Sequence, residues 1–206
     1  GDWSSDVCSS DLDGPTHQPV EHLSALRAIP NMLIFRPGDA VETVEAWQTA
    51  IEFTSGPSLL ALSRQALAQF RYGDMNENKT AKGAYVAVDC DVARQITLLA
   101  SGSEVEIAID AQKQLSSAGI AAAVVSVPCM ELFAAQSAKY HAEVLGQTPR
   151  IAIEAGLRQS WDWVLDKNDS FVGMNGFGAS GPINDLYQHF GITADAVVAL
   201  AKQRLS

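Results

Sequence analysis

The chain is short of basic residues. Its 14 Lys and Arg face 24 Asp and Glu, for a formal charge of −10. The cations are scattered, and no basic cluster interrupts the negative field, which argues against nonspecific nucleic-acid binding. No apolar run approaches the ~20 residues of a membrane span. Cysteine is scarce too. Cys8, Cys90 and Cys129 are odd in number and far apart, so neither a disulfide framework nor a zinc pattern is present. A reducing, cytoplasmic setting fits best, and Cys90 and Cys129 read as plain buried thiols. There is no G-x-x-x-x-G-K-[ST] phosphate loop and no internal repeat. His22, His141 and His189 have no acid or thiol at metal-ligand spacing, so no metal site is read here. The chain opens on Gly1 rather than Met and reads as a piece of something longer. Its first 12 residues, GDWSSDVCSSDL, are acidic and Ser-rich. They lack the basic start and apolar core of a secretory signal. They read as an artefact or a natural disordered leader, and are set aside from fold reasoning.

What remains suits a globular protein. With 206 residues and 47% hydrophobic content, one or two domains with an ordinary core are expected. Residues 32–35 form an apolar run stopped by Arg36-Pro37-Gly38, predicting a buried strand and a turn. Asp39 then caps a helix, with Glu42 three positions on. Val41, Val44, Trp47 or Gln48, and Ile51 give it one apolar stripe. A second strand is predicted over 58–62. Strand, helix, strand is the pattern of a parallel pair with a right-handed crossover. A polar stretch over 73–82 reads as an interdomain linker. The second unit has predicted strands over 85–88, 96–100, 120–127, 151–155 and 171–174. Its predicted helices cover about 103–117, 137–145, 183–190 and 193–205. Ser103 and Glu106 form a capping box for the first, and Gly119 stops it. A compact α/β domain with helices on both faces is expected.

Three residues stand out chemically. Asp13 and His17 lie in DGPTHQPVE, where Gly14, Pro15 and Pro19 restrict the backbone. A fixed acid and imidazole can bind hydroxyls and move protons near neutral pH. The same segment also reads as a rigid helix start, with Pro19 at the first position and Val20, Leu23 and Leu26 facing a core; both readings hold together. Arg64 falls just past the C-terminal end of a parallel strand, where open α/β sheets bind ligands. Its fork of donors suits phosphate; a surface ion pair is the alternative. Other features read as structural. Glu104 and Glu106 make the helix N-terminus at Ser103 a cap rather than an anion site. Trp161 and Trp163 read as packing against the sheet. The four glycines of 173–181 read as a turn needing close backbone approach.

Several stretches, in order, resemble one family. DGPTHQPVEHL at 13–23, LSRQ at 62–65, GSEVE at 102–106, VVSVP at 124–128, Glu154-Ala155-Gly156 and FGASGP at 177–182 together are similar to transketolases. The resemblance implies an α/β chain: a partial parallel-sheet pyrimidine-binding domain followed by a compact three-layer α/β C-terminal domain. It implies a non-family leader at 1–12, the pyrimidine-binding part at 13–72, a linker at 73–83 and the C-terminal domain at 84–206. It implies transfer of a two-carbon ketol unit from a ketose phosphate to an aldose phosphate, in the pentose phosphate pathway. The matching acid, Asp13, would bond a donor-sugar hydroxyl. His17 would bond hydroxyls near the reacting carbon and relay protons, as the catalytic residue. Arg64 would hold the terminal phosphate. Thiamine diphosphate and magnesium or calcium belong to the parent enzyme, with ligands mostly outside this chain. The domain that binds the diphosphate and metal, the glutamate that activates the cofactor and an upstream substrate histidine are not in this sequence.

The parent would be a homodimer with active sites between subunits, and the chain alone would be inactive. The incomplete first sheet would leave an unpaired edge, so the chain alone is expected to need a partner. Two alternatives stay open: an assembly or regulatory module of a split thiamine-diphosphate enzyme, and dihydroxyacetone synthase. THQPVE and LSRQ count against deoxyxylulose-phosphate synthase.

Overall fold

The computed structural model describes residues 18–73 and 76–206. Asp13 and His17 lie outside the described residues.

The first unit is strand, helix, strand, as the pattern predicts. β1 (Leu33–Phe35) pairs in parallel with β2 (Ser58–Leu60), with Leu33 opposite Ser58 and Phe35 opposite Leu60. Among the described residues this sheet has two strands. It is preceded by α1 (His22–Arg27), which starts three residues after Pro19 and buries none of its residues fully. The crossover is α2 (Ala40–Glu52), whose Asp39 cap accepts from the Glu42 N–H at 2.8 Å.

The α2 stripe faces the other way from the expectation. Val44, Trp47 and Ile51 are 70%, 52% and 73% exposed. Glu42, Glu45 and Ala46 are the buried residues. Ala46, with Ala50 and Phe53, packs on Leu33, Phe35 and Leu60. The acids can face inward because every charge finds a partner. The side chain of Arg71 bonds Glu45 twice, at 2.8 and 3.0 Å. Thr80 donates its N–H and hydroxyl to the same carboxylate at 3.0 and 2.8 Å. A buried acid costs several kcal/mol only when left unpaired. The polar stretch before the second unit is thus docked on α2, and carries a 3₁₀ turn at Thr80–Lys82.

The second unit holds β3 (Tyr85–Val88), β4 (Ile96–Ala100), β5 (Ala122–Ser126), β6 (Arg150–Ile153) and β7 (Ser170–Val172), in the order β3-β5-β4-β6-β7. β3 is antiparallel to β5; the other pairs are parallel. All residues of β4 and β5 are buried, as strands covered on both faces must be. One face packs under α3 (Glu104–Ser117), α6 (Ile183–Phe190) and α7 (Ala194–Leu205). Val105, Ala108, Ala111 and Leu115 are the buried line of α3. The other face packs under α4 (Met130–Ala134), α5 (Ala138–Leu145) and the 3₁₀ turn Arg158–Trp161. This is the three-layer α/β arrangement expected. A third cluster joins Leu33, Phe35 and Ala46 to Cys129 and Leu132, so the two sheets share a core at the end of β5. No helix among the described residues is long and apolar enough to cross a membrane.

Candidate functional site

Arg64 is exposed and lies four residues beyond the end of β2. Because β1 and β2 run parallel, the loops that follow them leave the same edge. The loop after β1 carries a second arginine, Arg36, which sequence reasoning did not single out.

The segment that follows His17 is held firmly. Gln18 is buried, and its backbone carbonyl accepts from the Gly178 N–H at 3.1 Å. Val20 sits in the core beside Val172 and Met174. The glycine-rich loop at 173–181 therefore makes the close approach predicted for it. A Cβ on Gly173 would come within 2.5 Å of the Glu154 carbonyl and 2.2 Å of the Phe171 ring.

Behind these loops lies a buried network of two arginines and two glutamates. Arg36 Nη1 donates to the Ser101 carbonyl at 2.8 Å and the Ser101 hydroxyl at 3.1 Å, and to Glu104. Its backbone is clamped as well, donating to the Pro128 carbonyl and accepting from Gly102 at 2.8 and 2.9 Å. Gly102 sits at φ 57°, and a Cβ there would strike Arg36 Cγ at 2.8 Å. Glu104 accepts from Ala155 N–H at 3.0 Å, Tyr187 hydroxyl at 2.7 Å and Ser103 hydroxyl at 2.8 Å. Glu154 receives both Nη groups of Arg27 at 2.9 Å, the Ser101 hydroxyl at 2.6 Å and the Trp161 indole N–H at 2.8 Å. Burial alone would raise the Glu154 carboxyl. The Arg27 and Arg36 guanidinium groups and the Ser101 bond outweigh it and hold it at about 2. Burial likewise pulls Arg36 down, and Glu104 with Glu154 more than restores it. With both charges fixed, this network locks α1, β1 and the β6 end together and is not an acid–base pair near neutral pH.

Two expectations change here. Ser103 makes no capping bond; its hydroxyl turns to Glu104 instead. Glu104 is fully buried, so it does not place exposed charge at the α3 start. The GSEVE and Glu154-Ala155-Gly156 stretches thus supply buried partners for arginines. An acid within four residues of the end of a mostly apolar strand, matched to an arginine just after another strand, is the signal that would have found them.

Glu42 is the carboxyl poised near neutrality. It is fully buried and accepts from the Tyr85 hydroxyl, the Ser126 hydroxyl and the Gly38 N–H, each at 2.6 Å. Burial pushes it up to about 7 against the pull of these donors. It links α2 to β3 and β5. Cys129 is buried, as expected, and burial raises its thiol further. Cys90 is half-exposed, its thiol donating to the Val92 carbonyl at 3.3 Å, because it follows β3 on a polar turn rather than entering the core. His141 Nε2 lies 2.6 Å from the Phe133 carbonyl. Among the described residues no three His, Cys, Asp or Glu side chains group as a metal-binding set. Trp161 is fully buried, as packing requires; Trp163 is 45% exposed.

Comparison with known proteins bears on this arrangement directly. Residues 83–193 match the family model of the transketolase-like C-terminal domain, and residues 3–69 match the transketolase pyrimidine-binding domain. A transketolase of Cereibacter sphaeroides is 60% identical over 193 residues, which are 94% of this chain and 29% of that protein. The transketolase structure from Leishmania mexicana superposes with a TM-score of 0.87 at 41% identity, over 98% of this chain and 30% of that one. A Pichia stipitis transketolase in complex with sedoheptulose-7-phosphate gives 0.87 at 36% identity, over 98% of this chain and 29% of that one. The chain thus spans under a third of the length of these relatives. On the family models and this identity, the chain belongs to the transketolase family.

Proposed function

We propose that this chain supplies the substrate-contacting edge of a transketolase that moves a two-carbon ketol unit from a ketose phosphate to an aldose phosphate. The 60% identity to a transketolase over 94% of the chain carries this reading. Residues 13–72 form part of the pyrimidine-binding domain, 73–83 the connection, and 84–206 the C-terminal domain. Asp13 holds a sugar hydroxyl. His17 bonds hydroxyls near the reacting carbon and relays protons. Arg64 presents its fork of donors to the terminal phosphate from the C-terminal edge of β2. Its exposed place beyond that strand supports the last role. Carbon–carbon bond cleavage belongs to thiamine diphosphate with magnesium or calcium. Most of the ligands of both are assigned to the rest of the parent enzyme. This chain's part is binding and orientation, which can account for much of a rate enhancement. The parent acts as a cytoplasmic homodimer, and the chain alone has no ketol-transfer activity.

The test grafts residues 13–206 in place of the matching segment of the Cereibacter sphaeroides relative. Arg64→Ala should raise KM for a phosphorylated acceptor by about tenfold or more, with a much smaller effect on an unphosphorylated one. His17→Ala should lower kcat. Equal effects of Arg64→Ala on both acceptors would remove the phosphate role. Ketol transfer by the isolated chain would refute its inactivity.

A further inference from the structure

Arg64 sits on a segment that neither helix nor strand holds. Residues 61–72 carry no regular element, and the middle of the segment is not packed on a solid core. Gln65, Ala66 and Leu67 border a cavity of about 360 Å³, whose far wall is formed by the starts of α3 and α6 at Ser103, Glu106 and Asn184. A guanidinium that holds a phosphate must stand at a fixed point, because a displacement of about 1 Å can cost a large factor in rate. The anchors of the segment therefore set where Arg64 stands.

Both ends are tied. At the near end the Ala61 N–H donates to the Phe35 carbonyl at 2.8 Å, next to the β1–β2 pairing. At the far end three donors converge on one atom. Asp39 Oδ2 accepts from the Gln69 side-chain amide at 3.0 Å, the Phe70 N–H at 3.3 Å and the Arg71 N–H at 2.9 Å. The other oxygen, Oδ1, caps α2 through the Glu42 N–H at 2.8 Å. Asp39 is 4% exposed, so these bonds are shielded from water, where a charged acceptor is strongest. The Gln69 amide also donates to the Arg71 carbonyl at 2.8 Å, which folds 69–71 around the carboxylate.

Capping a helix uses one oxygen, and a serine would serve. The second oxygen of Asp39 goes instead to residues 30 to 32 positions later. With the near end alone tied, Arg64, three residues past Ala61, would have about 10 Å of chain to swing on. Both anchors, Phe35 and Asp39, lie on the connection from β1 to α2. The stretch that carries Arg64 is thereby held as a closed loop against that connection. We propose that Asp39 is a positioning residue for phosphate recognition: its carboxylate fixes the loop that presents the Arg64 guanidinium, and so acts on KM for phosphorylated substrates rather than on the chemical step. The proposal rests on the phosphate role given to Arg64.

Asp39→Ser keeps an oxygen for the α2 cap but sets it one bond short of the 69–71 donors. In the grafted full-length enzyme, with ribose 5-phosphate and ribose as acceptors, it should raise KM for the phosphate about threefold or more. KM for ribose and kcat should change less than about twofold. In an Arg64→Ala background Asp39→Ser should add nothing to KM for ribose 5-phosphate. Gln69→Ala leaves the cap untouched and should raise the same KM selectively; it decides the matter if Asp39→Ser does not fold. Equal effects on the two acceptors, an effect on kcat alone, or no effect would each overturn the proposal. So would a further rise for ribose 5-phosphate in the Arg64→Ala background. If Arg64→Ala is selective for the phosphate and these variants are not, the positioning role alone falls. If Arg64→Ala acts equally on both acceptors, the phosphate role falls and the positioning role with it.

Discussion

Arg27 and Glu154, 127 positions apart, are joined by two parallel hydrogen bonds of 2.9 Å in which both side chains are at most 6% exposed. The pair ties α1, in the segment after His17, to the end of β6. Its geometry is the fork-on-carboxylate arrangement that only arginine can make. Removing one partner leaves the other charge buried. Arg27→Ala should therefore cost about 3–5 kcal/mol in urea unfolding. Arg27→Met combined with Glu154→Gln should cost less than the sum of the two single changes. Strict additivity would show that the pair is not energetically coupled.

Glu42 and Glu154 should pull stability in opposite directions with pH. Glu42 sits at about 7, above its ordinary 4.5. Its contribution is full below about 4.5 and is lost as pH rises through 7, a change of about 3 kcal/mol. Glu154 sits at about 2, below 4.5. Its contribution is present above 4.5 and is lost as pH falls toward 2. Glu42→Gln should flatten the stability profile between about pH 5 and 8, measured by urea midpoints across that range. An unchanged slope would mean that Glu42 does not titrate there.

The exposed face of α2 gives a stability test of its own. Val44→Ser or Ile51→Ser should change the stability of this chain by no more than about 0.5 kcal/mol. Ala46→Leu, at a fully buried position, should cost about 1–3 kcal/mol through overpacking. The reverse order would return the apolar stripe to the core.

Two glycines with similar backbone angles should respond differently to alanine. Gly83 lies at φ 82°, and a Cβ there would come within 2.0 Å of Phe133 N and 2.5 Å of the Cys129 carbonyl. Gly119 lies at φ 77° with nothing within 4 Å. Gly119→Ala should cost about 1 kcal/mol, the left-handed conformation alone. Gly83→Ala should cost more than about 2 kcal/mol, because backbone must shift as well. Thermal melts of the two variants compare them directly.

The order and type of the main elements are legible in the residues themselves. Strand runs such as 120–127 are almost wholly apolar, and α6 occupies Ile183–Phe190 as its pattern predicts, because periodicity acts over a few residues. The same patterns place Arg64 beyond a parallel strand. Tertiary structure alone decided which way α2 faces. Val44, Trp47 and Ile51 form the better apolar stripe, but Glu42 and Glu45 turn inward because Tyr85, Ser126, Arg71 and Thr80 are there to bond them. Likewise, nothing near Ser103 in sequence reveals that its neighbour Glu104 will meet Arg36, 68 positions earlier. Local pattern reports what a residue prefers when its surroundings are average. A buried charge is stable only where a distant partner cancels its desolvation, and that partner is brought into place by the fold.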